Sequence, residues 1–123
     1  MNIKFGTDGW RAKIAQDYTF ENLEKVSLAL AITLEEENPL NKTCVIGYDT
    51  RFFSEDFAKH VAEILSGVGF DVIISDNFIP TPTLAFSVKD KACAVGIMIT
   101  ASHNPYNYNG FKIKQSFGGS ASK

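Results

Sequence analysis

Three short apolar runs, Thr43–Tyr48 and residues 71–75 and 92–99, alternate with stretches whose apolar residues recur at helical spacing. No other feature constrains the fold as strongly. A strand followed by a helix and then another strand returns by a crossover, so successive strands lie parallel and both sheet faces must be covered. The expected fold class is therefore α/β: a three-layer α/β/α sandwich with a mixed, mostly parallel sheet.

The helical stretches carry their own punctuation. Thr19 precedes Phe20-Glu21-Asn22 and reads as a cap with an acidic residue in the first turn. Leu23, Val26, Leu30 and Leu34 then form one stripe to about Glu37, where Asn38-Pro39 stops the helix. Ser54 is expected to cap a second helix, with Glu55 and Asp56 behind it. Its apolar face is Phe57, Val61, Ile64, Leu65 and Val68, and Gly67 and Gly69 mark its end. Thr81 is expected to cap a short third helix to about Lys89, with Pro82 at its first position. The runs at 71–75 and 92–99 read as buried strands, and residues 1–5 and 111–114 are further candidate strands.

At 123 residues the chain is expected to hold one domain, over 1–117. The Gly/Ser-rich stretch 118–123 reads as a linker remnant, as if the chain were a fragment of something longer. A net charge of −2 argues against a nucleic-acid or anionic-membrane partner. Cys44 and Cys93 sit inside apolar runs and read as reduced core thiols. With no signal-peptide core and no apolar run long enough for a span, the expected location is cytoplasmic.

The run 92–99 delivers the chain to Thr100-Ala101-Ser102-His103-Asn104-Pro105, followed by Tyr108-Asn109-Gly110-Phe111-Lys112. A polar turn at the carboxyl end of a strand is where α/β folds place their sites. A serine there, with cationic donors converging on it, suits acyl or phosphoryl transfer. This stretch resembles the active-site serine loop of the α-D-phosphohexomutases, the phosphoglucomutase/phosphomannomutase family. Phe5-Gly6-Thr7-Asp8-Gly9-Trp10-Arg11, Gly47-Tyr48-Asp49-Thr50-Arg51 and Ile79-Pro80-Thr81-Pro82-Thr83 are similar to three further signatures of that family, in its order.

The resemblance implies the first of four domains. It implies an intramolecular phosphotransferase that interconverts hexose 1-phosphate and hexose 6-phosphate through a phosphoserine and a bisphosphorylated sugar. Ser102 would carry the phosphoryl group, and His103, Lys112 and Arg11 would contact phosphate as catalytic groups. Mg²⁺ would be held by the phosphate of Ser102 together with aspartates of a later Asp-Gly-Asp-Gly-Asp-Arg segment that this sequence lacks. Hexose 1,6-bisphosphate would act as activator. Hexose phosphate and the remaining domains would be the partners, and the chain alone would be inactive.

The residues also have plainer readings. Ser102 could be only a turn residue, and His103 a loop histidine satisfied by backbone. Lys112, after an Asn109-Gly110 pair read as a chain reversal, could be a solvated strand-end lysine. Arg11 could be a surface residue of a glycine-rich loop. Arg51 is read as structural, pairing with Asp49. Asp8 and Asp49 do not make a metal site on their own. His60 is read as a solvated helix-face residue. The rival to an enzyme domain is a non-catalytic α/β binding or assembly module.

Overall fold

The computed structural model of the chain describes residues 9–37, 40–101 and 104–115. In chain order these form β1 (Gly9–Lys13), α1 (Phe20–Glu37), β2 (Thr43–Tyr48), α2 (Ser54–Gly67), β3 (Asp71–Ile74), α3 (Thr81–Asp90), β4 (Val95–Ile99) and β5 (Tyr108–Gln115). One five-stranded sheet has the order β1-β5-β4-β2-β3. β2 pairs in parallel with both β3 and β4, whereas β5 runs antiparallel to β4 and to β1. The sheet is therefore mixed, with β5 alone reversed against its neighbours.

Alternation along β2 divides the layers, since successive side chains leave a strand on opposite faces. Cys44 and Ile46 join Leu23 and Val26 of α1 and Phe57, Val61 and Leu65 of α2 in one buried cluster. Val45 faces the other way and joins Leu84 and Val88 of α3, with Cys93 and Met98. Two helices thus cover one face and α3 covers the other, which is the expected three-layer sandwich. Both cysteines are free and buried. Gly96 of β4 brings α3 close: a Cβ there would lie 2.2 Å from Val88 Cγ2.

α1 is capped as its sequence suggests, with the Asn22 amide donating to Thr19 Oγ1 at 3.1 Å. α2 is not. Phe53 occupies the cap position in the left-handed region, and Ser54 is the first helical residue; in α3 likewise Thr81 is the first helical residue rather than the cap, which is Pro80. Val68, expected on the apolar face of α2, is exposed. β3 is an edge strand rather than a buried one, and Ile73 is exposed on it. β4 begins at Val95, because Ala92 adopts a positive φ of 52° in the turn that follows α3. β1 is a strand where a glycine-rich loop was expected, and its burial alternates through Trp10 and Ala12. The candidate strand 1–5, the Asn38-Pro39 stop and the linker 118–123 lie outside the described residues.

Tyr18 ties β1 and β5 to the helical layer. Its ring is fully buried, stacked on Trp10 at 4.8 Å and edge-on to Phe57 at 4.9 Å. Its hydroxyl donates to the Gly110 carbonyl at 2.7 Å. Burial, and secondarily the charge of Asp49, hold its ionisation well above the ordinary tyrosine value.

Candidate functional site

The carboxyl ends of β2 and β4 lie side by side, because Tyr48 pairs with Ile99. The next residues are Asp49 and Thr100. The Asp49 amide donates to the Ile99 carbonyl at 3.3 Å. The Asp49 carboxylate gathers the surrounding donors. Oδ1 accepts from the Arg51 amide at 3.0 Å and from Ser54 Oγ at 2.7 Å. Oδ2 accepts from Thr100 Oγ1 and stands 3.5 Å from Arg51 Nε. One carboxylate thus joins the ends of β2 and β4 to the start of α2.

Arg51 turns its remaining donors onto the backbone that leads into β5. Nη2 donates to the Asn104 carbonyl at 2.7 Å, and Nη1 to the carbonyls of Pro105 at 2.7 Å and Tyr108 at 3.1 Å. The planar guanidinium suits several acceptors held at fixed angles. Asn109 adds a second fastening, with Nδ2 donating to Ser54 Oγ at 2.9 Å and Oδ1 accepting from the Gly110 amide at 2.8 Å.

The two candidate cations lie on one sheet face. Phe111 belongs to the cluster under α1 and α2, so Lys112 leaves β5 on the opposite face, as does Met98 opposite it. Arg11 pairs with Gly110, and Gly9 pairs with Lys112, so each cation stands across from a glycine. A Cβ on Gly110 would lie 3.0 Å from Arg11 Cγ and 2.6 Å from the Thr100 carbonyl. The absent side chain leaves room for the arginine stem. Arg11 is exposed, and its Nη1 donates to Asn104 Oδ1 at 3.2 Å. Lys112 is only 8% exposed.

Several sequence readings change here. Asn109-Gly110 is not a turn: both residues lie within β5, paired with Ala12 and Arg11, and the chain reverses before Tyr108. Ser54 serves Asp49 and Asn109 rather than capping α2. His60 is not a solvated face residue. It is half-buried, with its ring edge-on to Phe20 at 5.1 Å, and its Nε2 is buried without a hydrogen-bond partner among the described residues. Arg51 pairs with Asp49 as expected. Asn104 as the partner of Arg11, and Ser54 and Asn109 as a joint fastening, were not foreseen. Ser102, His103 and Asp8 lie outside the described residues.

The sequence matches the family described as phosphoglucomutase/phosphomannomutase, alpha/beta/alpha domain I, over residues 2–123. The chain belongs to this family. It is 43% identical over 120 residues to a phosphoglucomutase of Staphylococcus saprophyticus, covering 95% of this chain and 22% of that protein. It is 41% identical over 119 residues to a phosphoglucomutase of Staphylococcus aureus, covering 94% of this chain and 21% of that one. Among solved structures, a phosphomannomutase-family protein from Thermus thermophilus matches with a TM-score of 0.95 at 38% identity. The match covers the whole of this chain and 28% of that one. A family protein from Burkholderia thailandensis shares the fold, with a TM-score of 0.83 at 22% identity over 97% of this chain and 27% of that one.

The chain therefore spans about a fifth of the curated phosphoglucomutases it matches, and the domain described here is one part of such proteins. The described residues do not fit a magnesium centre by themselves. No three His, Cys, Asp or Glu side chains come together among them, and both oxygens of Asp49 already accept hydrogen bonds. Among the described residues no helix is long and apolar enough to cross a membrane.

Proposed function

We propose that this chain is the phosphoryl-carrying domain of a phosphohexomutase, with Ser102 as the carrier. In the forward step the Ser102 Oγ–P bond breaks as a hydroxyl oxygen of a hexose monophosphate bonds to the same phosphorus. The hydroxyl proton leaves to a base as the departing Ser102 oxygen takes up a proton, and a hexose bisphosphate forms; the return step moves these protons the opposite way. In the return step the other phosphoryl group of that intermediate passes to Ser102, which regenerates the phosphoserine and releases the isomeric monophosphate.

Transfer of this kind asks mainly for positioning and for positive charge beside the phosphoryl oxygens. The observation that carries the reading is the shared face of Arg11 and Lys112, with Arg11 bonded to Asn104 two residues beyond Ser102. In this reading Arg11 forks onto phosphate oxygens and Lys112 adds a largely desolvated positive charge, which acts more strongly than a solvated one. His103, adjacent to the serine, is proposed as a further phosphate contact. Thr100, the other hydroxyl of the loop, is 5% exposed and donates to Asp49, which favours Ser102 as the acceptor.

Magnesium, hexose 1,6-bisphosphate as activator, and recognition of the sugar belong to the same proposal and require groups beyond the described residues. Replacing Lys112 or Arg11 by alanine in the full-length enzyme carrying this domain should lower kcat about 10²–10³-fold, the effect of losing one positioned donor. Steady-state kinetics beside a thermal melt checks it. A Lys112→Ala enzyme that kept its kcat and lost only melting temperature would contradict the assigned role.

A further inference from the structure

The same polar network holds both flanks of the segment that contains Ser102. Before it, Thr100 is tied to Asp49 through its hydroxyl and to β5 through its amide, which donates to the Gly110 carbonyl at 3.1 Å. After it, the carbonyls of Asn104, Pro105 and Tyr108 all accept from Arg51. Asp49 and Arg51 are themselves paired. We propose that Arg51, oriented by Asp49, is a positioning residue that fixes the backbone on either side of Ser102 for phosphoryl transfer. This proposal rests on Ser102 being the carrier.

The chemistry separates Arg51 from Arg11 and Lys112. Its bonded donors face carbonyl oxygens rather than open space, so its contribution is geometry rather than contact with phosphate. Asp49 beside it balances its charge, so removing Arg51 should weaken alignment far more than attraction for an anionic substrate. Misplacement of a reacting group by about 1 Å can lower turnover about 10²-fold while leaving binding nearly unchanged. The expected signature is therefore a fall in kcat at nearly constant KM. Lysine would keep the pairing with Asp49, but it lacks the rigid fork that reaches three carbonyls.

Two measurements test this. In the chain itself, amide hydrogen exchange should quicken at least tenfold at Asn104 and Tyr108 in Arg51→Ala, while amides of β2 and α2 stay unchanged. In the full-length enzyme carrying this domain, Arg51→Ala should lower kcat at least tenfold with KM within about twofold. Arg51→Lys should recover the melting temperature but not kcat. Unchanged exchange at Asn104 and Tyr108, acceleration spread over the whole sheet, or full turnover in Arg51→Lys would overturn the proposal. If Ser102→Ala kept its turnover, the carrier reading would fail, and the exchange result would still decide whether Arg51 holds the loop.

Discussion

At the scale of single residues, long-range hydrogen bonds decide what the side chains do. Ser54 and Asn109 carry strong local signals, for a helix cap and for a turn. Each is used instead by a partner 55 positions away. No local rule could reveal that, because it depends on two strands ending side by side. Arg51 was legible as structural from its proximity to Asp49, whereas its three carbonyl partners were not. Tyr18 provides a test. Its ionisation is raised by burial, so between pH about 10 and its folded value the folded chain keeps a proton that the unfolded chain releases. Stability should therefore fall as pH rises above about 10. Cys44, also raised by burial from its ordinary 9.0, adds a fall of the same sign starting near that value. Tyr18→Phe should lose about 0.5–1.5 kcal/mol near neutral pH with its bond to Gly110, and should flatten the alkaline decline. Urea denaturation across pH 7–11 measures both effects; an equally steep decline in the variant would contradict the role given to Tyr18.

At the scale of elements, periodicity carried most of the information. The bounds of β2 follow from apolar spacing as expected, but the stripe of α1 does so only in its first half: Leu23 and Val26 are buried, whereas Leu30 and Leu34 are partly buried and Ala31 takes the buried position between them. Two strands at the reversed end of the sheet were harder. β1 reads Gly-Trp-Arg-Ala-Lys, and its two-residue alternation of buried and exposed positions was present in the sequence. Its glycine and two cations gave the stretch the look of a loop. β5 extends from Tyr108, through an Asn-Gly pair that signals a turn in isolation but is held here by β1 on one side and, on the other, by the Thr100 amide that donates to the Gly110 carbonyl. The layer contact between α3 and β4 yields a prediction of its own. Gly96→Ala would push a methyl into Val88 Cγ2, so it should destabilise by about 1–3 kcal/mol. Val88→Ala in the same chain should relieve part of that loss. Thermal melts of the two single variants and the double variant check it, and strictly additive losses would mean that the two positions do not meet.

At the scale of the whole molecule, the fold brings together the flanks of a serine loop, a structural carboxylate–guanidinium pair and two cations on one face. The class of fold and the order of the motifs were readable along the chain, because alternating periods and family signatures are local properties. The face shared by Arg11 and Lys112 was not readable, since it depends on the register of β1 against β5. The chain by itself should fold cooperatively, because its helices and strands share two continuous apolar clusters. Both thiols should resist Ellman's reagent until the chain is unfolded, when both should react. It should show no mutase turnover in a coupled assay, since sugar recognition is proposed to lie in the remainder of a family-length protein. The most direct test of the central claim is to map the phosphoryl group. The full-length enzyme carrying this domain is treated with a hexose bisphosphate, and its mass and fragment spectra are recorded. One phosphate at Ser102, absent from Ser102→Ala, is the predicted result; phosphate on Thr100 or any other residue, or an undiminished phosphoenzyme in Ser102→Ala, would contradict it.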